Sequence, residues 1–175
     1  MKAIVIYKSK YGATRTYAKW IADSLGCEAA EAKTVSAASL AEYDTIVYGG
    51  GLYAEVINGV SLITKNLDKL KDKKLIVFTT GITPIECRDY YDKLVIEKNF
   101  KPEMLEKIKI YNFLGKMILN ELSLVHRTAL KSLKKIMSGK ENPSEMEKLL
   151  IELCDVDKDL CDKGLITDLI NYARN

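Results

Sequence analysis

Hydroxyl groups, a glycine and a lysine follow the first apolar run of the sequence, which spans residues 2–7. Ser9 and Thr14 offer hydroxyls, Gly12 permits a tight turn, and the amides between them would point forward from the start of a helix. Such a helix start favours an anion. The segment therefore predicts a phosphate cradle, and the alternative is an ordinary turn between a strand and a helix. The cradle residues are Ser9, Lys10, Tyr11, Gly12, Ala13 and Thr14.

Two later segments could hold a flat ring. Three consecutive glycines, Gly49 to Gly51, follow the apolar run 45–48, and such a run costs backbone entropy on ordering. It predicts a loop at which a flat ligand approaches the main chain or a peptide flips. Tyr53 could stack on an aromatic ring, although a core or surface tyrosine is the commoner role. The ring-side candidates, with those of the segment 79–83, are Gly50, Gly51, Leu52, Tyr53, Thr80 and Gly81.

The type of phosphate ligand follows from which motifs the sequence lacks. Neither G-x-G-x-x-G nor G-K-[ST] occurs in it, which argues against a dinucleotide and against a transferred phosphoryl group. A phosphate monoester held as a handle, beside loops that can hold a planar ring, describes the flavin mononucleotide FMN.

The elements that must position these residues alternate between strands and helices. Strands are predicted at 2–7, 45–48, 75–79 and 107–113, with a weaker one at 27–33, and amphipathic helices lie between and after them. This order predicts an α/β, flavodoxin-like three-layer doubly wound sandwich, with a five-stranded parallel sheet and helices on both faces. A capping box at 83–86 predicts a helix from there to Asn99, and residues 142–145 are expected to cap another.

Length and composition restrict the class of protein. The 175 residues, of which 47% are hydrophobic and 29% charged, predict a single globular domain over 1–175. Every apolar run is too short to span a membrane or form a signal peptide, so a cytoplasmic location is expected. Four scattered cysteines and one histidine, His126, predict no metal site, and His126 is expected to be a packing residue.

A basic block at residues 116–140 stands out from the rest of the chain. It carries six basic residues and one acidic residue, whereas residues 141–175 carry four basic and nine acidic ones. A helix there would bring Leu122, Val125, Ala129, Leu133 and Ile136 to one side and Arg127, Lys131, Lys134 and Lys135 to the other. Two interpretations remain open: a packed helix with a solvated basic back, or a surface for anionic lipid or an acidic partner. No nucleic-acid partner is expected, because no aromatic residues interleave the lysines.

Two stretches resemble the flavodoxins. Residues 7–15 (YKSKYGATR) resemble the flavodoxin FMN phosphate loop, although Tyr11 stands where many flavodoxins have a threonine. Residues 43–51 (YDTIVYGGG) resemble the strand that enters the second flavin loop. More narrowly, residues 107–142 are similar to the menaquinone-dependent protoporphyrinogen oxidases of this family, although the region after Gly139 is longer and more acidic than in those enzymes.

The resemblance implies an FMN-dependent oxidoreductase that passes electrons between a reduced substrate and a quinone or protein partner, with protoporphyrinogen oxidation as one case. No catalytic side chain is implied, because the flavin performs the redox chemistry. The alternatives are a flavodoxin-type electron carrier without its own substrate and a flavin-free interaction module. The basic helical insertion at about 116–140 is expected to give peripheral contact with anionic membrane.

Overall fold

The computed structural model describes residues 2–175. Its strands are β1 (Ala3–Lys8), β2 (Glu28–Glu31), β3 (Thr45–Tyr53), β4 (Val56–Ile57), β5 (Lys74–Gly81), β6 (Ile108–Leu114), β7 (Lys116–Met117) and β8 (Lys158–Asp159). Its α-helices are α1 (Ala13–Leu25), α2 (Ser61–Thr64), α3 (Ile96–Asn99), α4 (Leu124–Ser138), α5 (Glu145–Leu153) and α6 (Thr167–Arg174). Within these residues no helix is long and apolar enough to cross a bilayer.

Five parallel strands form the central sheet in the order β2-β1-β3-β5-β6, and β4 pairs antiparallel with β3. The five-stranded doubly wound sheet predicted from the sequence is therefore confirmed. Its order reverses direction between β1 and β3, and ligands bind beside such a switch point at the carboxyl ends of the strands.

Both faces of the sheet are covered, as the apolar strands predict. On one face Ile4 and Ile6 of β1 pack in a cluster with Ile63 of α2 and Val95. On the other face Val5 joins a cluster with residues of α1 and α6. Four residues near the C-terminal end recur at helical spacing and are all buried: Ile166, Leu169, Ile170 and Ala173.

One helical expectation is wrong in detail. The box at 83–86 does not open a helix: the Thr83 carbonyl accepts a hydrogen bond from the hydroxyl of Tyr91 instead, at 2.6 Å, and a π-helix (Tyr90–Val95) leads into α3. For α4, the structure disfavours one of the two open interpretations, the packed helix with a solvated basic back. Val125, Leu133 and Ile136 are 74%, 46% and 65% exposed, because α4 turns His126 and Met137 toward the protein. By contrast, Ser144 caps α5 in a full capping box with Glu147.

Candidate functional site

The strand register gathers the candidate residues at one edge of the sheet. Lys8 of β1 lies beside Gly50 of β3, and Gly51 lies beside Thr80 of β5. The segment 9–12 leaves this edge directly after β1 and leads into α1. The residues predicted from three separate segments therefore come together, around the point where the sheet order reverses.

The turn before α1 has the geometry of an anion site. Gly12 is the N-cap with φ of +92°, a conformation that favours glycine, and its N–H donates to Ser9 Oγ at 3.1 Å. No side chain caps the helix, and no acidic residue lies in its first turn. The first helical bond runs from the Thr16 N–H to the Gly12 carbonyl, so the amides of residues 13–15 remain available as donors. These amides and the helix dipole favour a phosphate at this position.

Two predicted residues from different groups contact each other. The hydroxyl of Thr14, in the first turn of α1, hydrogen-bonds the hydroxyl of Thr80 at 2.8 Å, and both residues are buried. This bond joins the start of α1 to the end of β5. The sequence assigned Thr14 to the phosphate and Thr80 to the ring side, and the structure makes them direct neighbours.

The glycine run is not a loop, which corrects the expectation from sequence. Gly49, Gly50 and Gly51 are buried residues of β3, and the chain turns only at Ala54 and Glu55, both with positive φ. A methyl group added at Gly49 would lie 2.5 Å from Cε1 of Phe78, and one at Gly50 would lie 2.6 Å from Cγ2 of Ile57. These two glycines are therefore explained by packing within the protein. Only at Gly51 is the covering group the movable ring of Tyr53.

Family membership follows from a match over most of the chain. A family model described as a flavodoxin domain matches residues 4–144. The chain belongs to the flavodoxin family. FMN is the cofactor of flavodoxin domains and hence of this one. The function of the chain is electron transfer. No curated protein matches the chain at a significant level.

Solved flavodoxins are similar to the chain at low sequence identity. A flavodoxin from the domain Archaea shares 16% identity over 100% of both chains, with a TM-score of 0.42. The two-electron reduced flavodoxin of Megasphaera elsdenii shares 18% over 88% of this chain and 99% of its own, with a TM-score of 0.42. Flavodoxin 2 of Bacillus cereus shares 20% over 64% and 84%, with a TM-score of 0.39.

The turn of this flavodoxin domain fits the phosphate end of FMN. An uncapped helix start with free donors, a neighbouring serine hydroxyl and no competing carboxylate in the first turn are the features that a phosphate monoester needs. When bound, FMN supplies the ring that takes up and releases electrons. The protein's part is to hold the phosphate and to set the charge around the ring.

An aromatic cluster of Tyr11, Tyr53 and His126 closes one side of this edge. The Tyr53 ring centroid lies 6.1 Å from that of Tyr11 and 4.9 Å from that of His126. The Tyr11 hydroxyl lies 2.7 Å from Nδ1 of His126 and accepts the N–H of Ser123, the N-cap of α4. Tyr11 therefore ties α4 to the phosphate loop, and its hydroxyl is directed to this helix.

Electrostatics keep this cluster neutral. Burial, together with the positive charge of Lys10, lowers the pKa of His126 below its ordinary 6.5, so the imidazole is neutral at pH 7. Burial and the neighbouring Tyr11 raise the pKa of Tyr53 to about 12. Burial also raises the pKa of Tyr11, but hydrogen bonds with Ser123 and the charge of Lys10 outweigh it and lower this pKa overall. A neutral imidazole can accept a hydrogen bond from the Tyr11 hydroxyl.

Sequence reasoning missed two contributors to the site. His126, which the sequence predicts only as a packing residue, packs against Tyr11 and Tyr53 of the candidate site. Lys116 is not among the residues that the sequence predicts for the site, and it lies against Gly12. The sequence holds no local signal for either, because both reach the site through the path of the chain after β6. Lys10, the predicted cation, points its ammonium to Ser123 Oγ at 3.3 Å.

Proposed function

We propose that this chain is an FMN-dependent oxidoreductase that passes electrons between a reduced substrate and a quinone or a protein partner. The observation that carries the proposal is the uncapped start of α1 at Gly12, at the edge where β1, β3 and β5 end. The proposed phosphate residues are Ser9, Lys10, Tyr11, Gly12, Ala13 and Thr14, and the proposed ring-side residues are Gly50, Gly51, Leu52, Tyr53, Thr80 and Gly81.

Titration of the apoprotein with FMN, followed by quenching of flavin fluorescence, tests this site. The variant Gly12→Ala disturbs the turn, and Gly26→Ala is its matched control. Gly26 also has a positive φ, of +67°, but it lies at the opposite end of α1 with nothing within 4 Å of an added methyl group. We expect G12A alone to lose FMN affinity. Equal FMN affinity in both variants would contradict the proposed phosphate site.

The charge around the site favours an oxidising role over that of a low-potential carrier. Reduction adds negative charge to the flavin, and cations near the site, such as Lys10, stabilise that charge. We therefore expect a midpoint potential above that of acidic carrier flavodoxins. A potential as low as theirs would support the alternative, an electron carrier without its own substrate.

Turnover separates the enzyme from the carrier. The first substrate and acceptor to assay are protoporphyrinogen and a menaquinone analogue. The segment 107–142 resembles the menaquinone-dependent protoporphyrinogen oxidases, which use this pair. An enzyme of this kind would form porphyrin with the quinone as acceptor. A carrier would show electron transfer only with a protein partner, and a flavin-free module would give a colourless preparation.

The exposed face of α4 supports a further part of the proposal, contact with an anionic lipid surface. Val125, Leu133 and Ile136 form an exposed apolar stripe. Of the four predicted basic residues, Arg127 donates to the carbonyl groups of 119, 120 and 122, and Lys134 forms an ion pair with Asp155. Lys131 and Lys135 are exposed and form no ion pair within residues 2–175.

We propose that these two lysines attract anionic lipid while the stripe enters the headgroup region, where a quinone is accessible. In this proposal the chain is one domain and the segment 116–140 is its membrane-contacting insertion.

Sedimentation with vesicles tests the lipid contact. We expect binding to vesicles that contain phosphatidylglycerol, weaker binding to phosphatidylcholine alone, and loss of binding with added salt. Leu133→Ser should weaken the binding. Leu149→Ser is a matched control, because Leu149 on α5 is 45% exposed against 46% for Leu133. Binding that ignores lipid charge, salt and L133S would contradict a role for α4.

A further inference from the structure

The segment that follows β6 passes close to residues 9–12, the turn before α1 that we propose as the phosphate turn. The Gly115 N–H donates to the Gly81 carbonyl at 2.7 Å, which places this segment at the end of β5. A methyl group added at Gly115 would lie 3.3 Å from the Gly81 nitrogen and 3.6 Å from Cβ of Ala13. The main chain therefore passes directly beside the start of α1, and the next side chain is Lys116.

The side chain of Lys116 lies against Gly12. Its Cε and Nζ are 3.3 and 3.5 Å from the position that a Cβ of Gly12 would take. The side chain is only 26% exposed. Its nearest carboxylate, that of Glu121, lies 3.9 Å away and is half exposed. Lys116 thus brings a largely covered positive charge to the N-cap of α1.

Pairing with the C-terminal region holds Lys116 in place. Lys116 and Met117 form β7, which pairs antiparallel with β8, and the Gly115 carbonyl accepts the Leu160 N–H at 3.0 Å. The cross-strand partner of Lys116 is Asp159, whose carboxylate accepts the Cys161 N–H at 3.1 Å. The backbone position of Lys116 is therefore fixed from two sides.

The sign of this charge indicates what the site binds. A helix start carries partial positive charge, so an ammonium placed beside it is unfavourable unless an anion lies between the two. The first turn of α1 has no acidic residue, and among residues 2–175 the one carboxylate within 4.0 Å of the Lys116 ammonium is that of Glu121, at 3.9 Å. Because this carboxylate is half exposed, it balances the charge of Lys116 only in part. A phosphate bound at this turn would carry the charge that resolves the remaining repulsion.

We infer that Lys116 is a phosphate-binding residue of the FMN site, which selects flavins that carry a phosphate over riboflavin. The inference rests on the proposed FMN site at the phosphate turn and adds to it a cation from the basic insertion. The turn amides supply neutral donors, and Lys116 supplies a charge-assisted hydrogen bond to the phosphate. The side chain of Lys10 does not supply this charge, because its ammonium points to Ser123 and lies 5.5 Å from the Tyr11 ring centroid. The part of Lys10 that belongs to the proposed phosphate turn is its main chain.

Paired titrations with FMN and riboflavin test the inference. We expect Lys116→Gln to weaken FMN binding about tenfold or more, which is the range of a hydrogen bond to a charged group. The affinity of the same variant for riboflavin should be unchanged, because riboflavin has no phosphate. Lys116→Arg should retain most of the FMN affinity. Added salt should weaken FMN binding more in the wild type than in K116Q.

Lys158→Gln is the matched control. Lys158 lies on β8 opposite Met117, is exposed, and its replacement makes the same change in net charge in the same two-stranded sheet. We expect K158Q to bind both flavins like the wild type. Riboflavin binding by K116Q also reports that the ring side of the site is folded.

Three outcomes would overturn the inference. If the wild type binds FMN and K116Q has the same preference for FMN over riboflavin, the site exists and Lys116 does not contact the phosphate. If K116Q loses both flavins equally, Lys116 has a structural role only. If the wild-type apoprotein binds neither flavin, the proposed FMN site itself is wrong, and the role of Lys116 is wrong with it.

Discussion

Alanine at Gly49 is expected to destabilise the fold through one side chain, Phe78. The added methyl group would lie 2.5 and 2.6 Å from two carbon atoms of that ring, whereas favourable carbon contacts lie at about 3.5–4.0 Å. Phe78 is fully buried and packs against Phe113, with ring centroids 5.5 Å apart, so it has little room to move. We expect a loss of about 3 kcal/mol in the free energy of unfolding, at the upper end for overpacked cores.

Urea denaturation of the apoprotein, followed by circular dichroism, measures this loss. The double variant Gly49→Ala/Phe78→Leu should recover part of it, because leucine removes the ring atoms that clash. The coupling between the two sites should exceed about 1 kcal/mol, as for residues in direct contact. Gly26→Ala should cost only about 1 kcal/mol, through its positive φ. If G49A were as stable as the wild type but bound FMN poorly, the glycine would serve the ligand and the packing explanation would be wrong.

Three further outcomes are expected. Thr14→Val should cost about 1–3 kcal/mol because it leaves the buried Thr80 hydroxyl without its partner, and T14V/T80V should cost less than the sum of both single variants in urea denaturation. The folded protein lowers the pKa of His126 below its ordinary 6.5, so folding favours the neutral imidazole. The stability that this preference contributes is complete above pH 6.5 and is lost as the pH falls below that value. His126→Gln should show a smaller loss than the wild type over that range, and equal losses would exclude His126 as the cause. Ser144→Ala should cost about 1 kcal/mol and speed amide exchange at Glu147, and unchanged exchange would argue against the cap.

Local patterns in the sequence were sufficient for the architecture. The apolar run at 2–7 forms β1, whose side chains lie in the core clusters on both faces of the sheet. Helical spacing likewise marks the buried side of α6 and the turn before it: Ile166, Leu169, Ile170 and Ala173. The Ser144 cap is local in the same sense, since its partner Glu147 lies three residues away. The glycine run was misjudged because its explanation lies on β5 and β4, where Phe78 and Ile57 fill the space of the missing side chains.

The site was predictable only where it is built from segments that directly follow a strand. The turn from Ser9 to Thr14 could be found because its residue types and its place after β1 act together. Lys116 and His126 reach the same edge from distant parts of the chain, and no spacing rule connects them with Gly12 or Tyr11. Amphipathicity likewise identified α4 as a helix, but a helical pattern does not determine which of its sides is covered.

The hydroxyl of Tyr17 limits where the chain can be truncated without loss of structure. Its hydroxyl donates to the Leu114 carbonyl at 2.8 Å and accepts the Asp162 N–H at 3.0 Å, so one side chain of α1 fastens two distant parts of the backbone. The match to the flavodoxin family model ends at residue 144, before the second of these attachments. A chain shortened at that limit would keep the sheet strands but release the polypeptide that anchors Lys116. The folded unit therefore extends beyond the part that the family model matches.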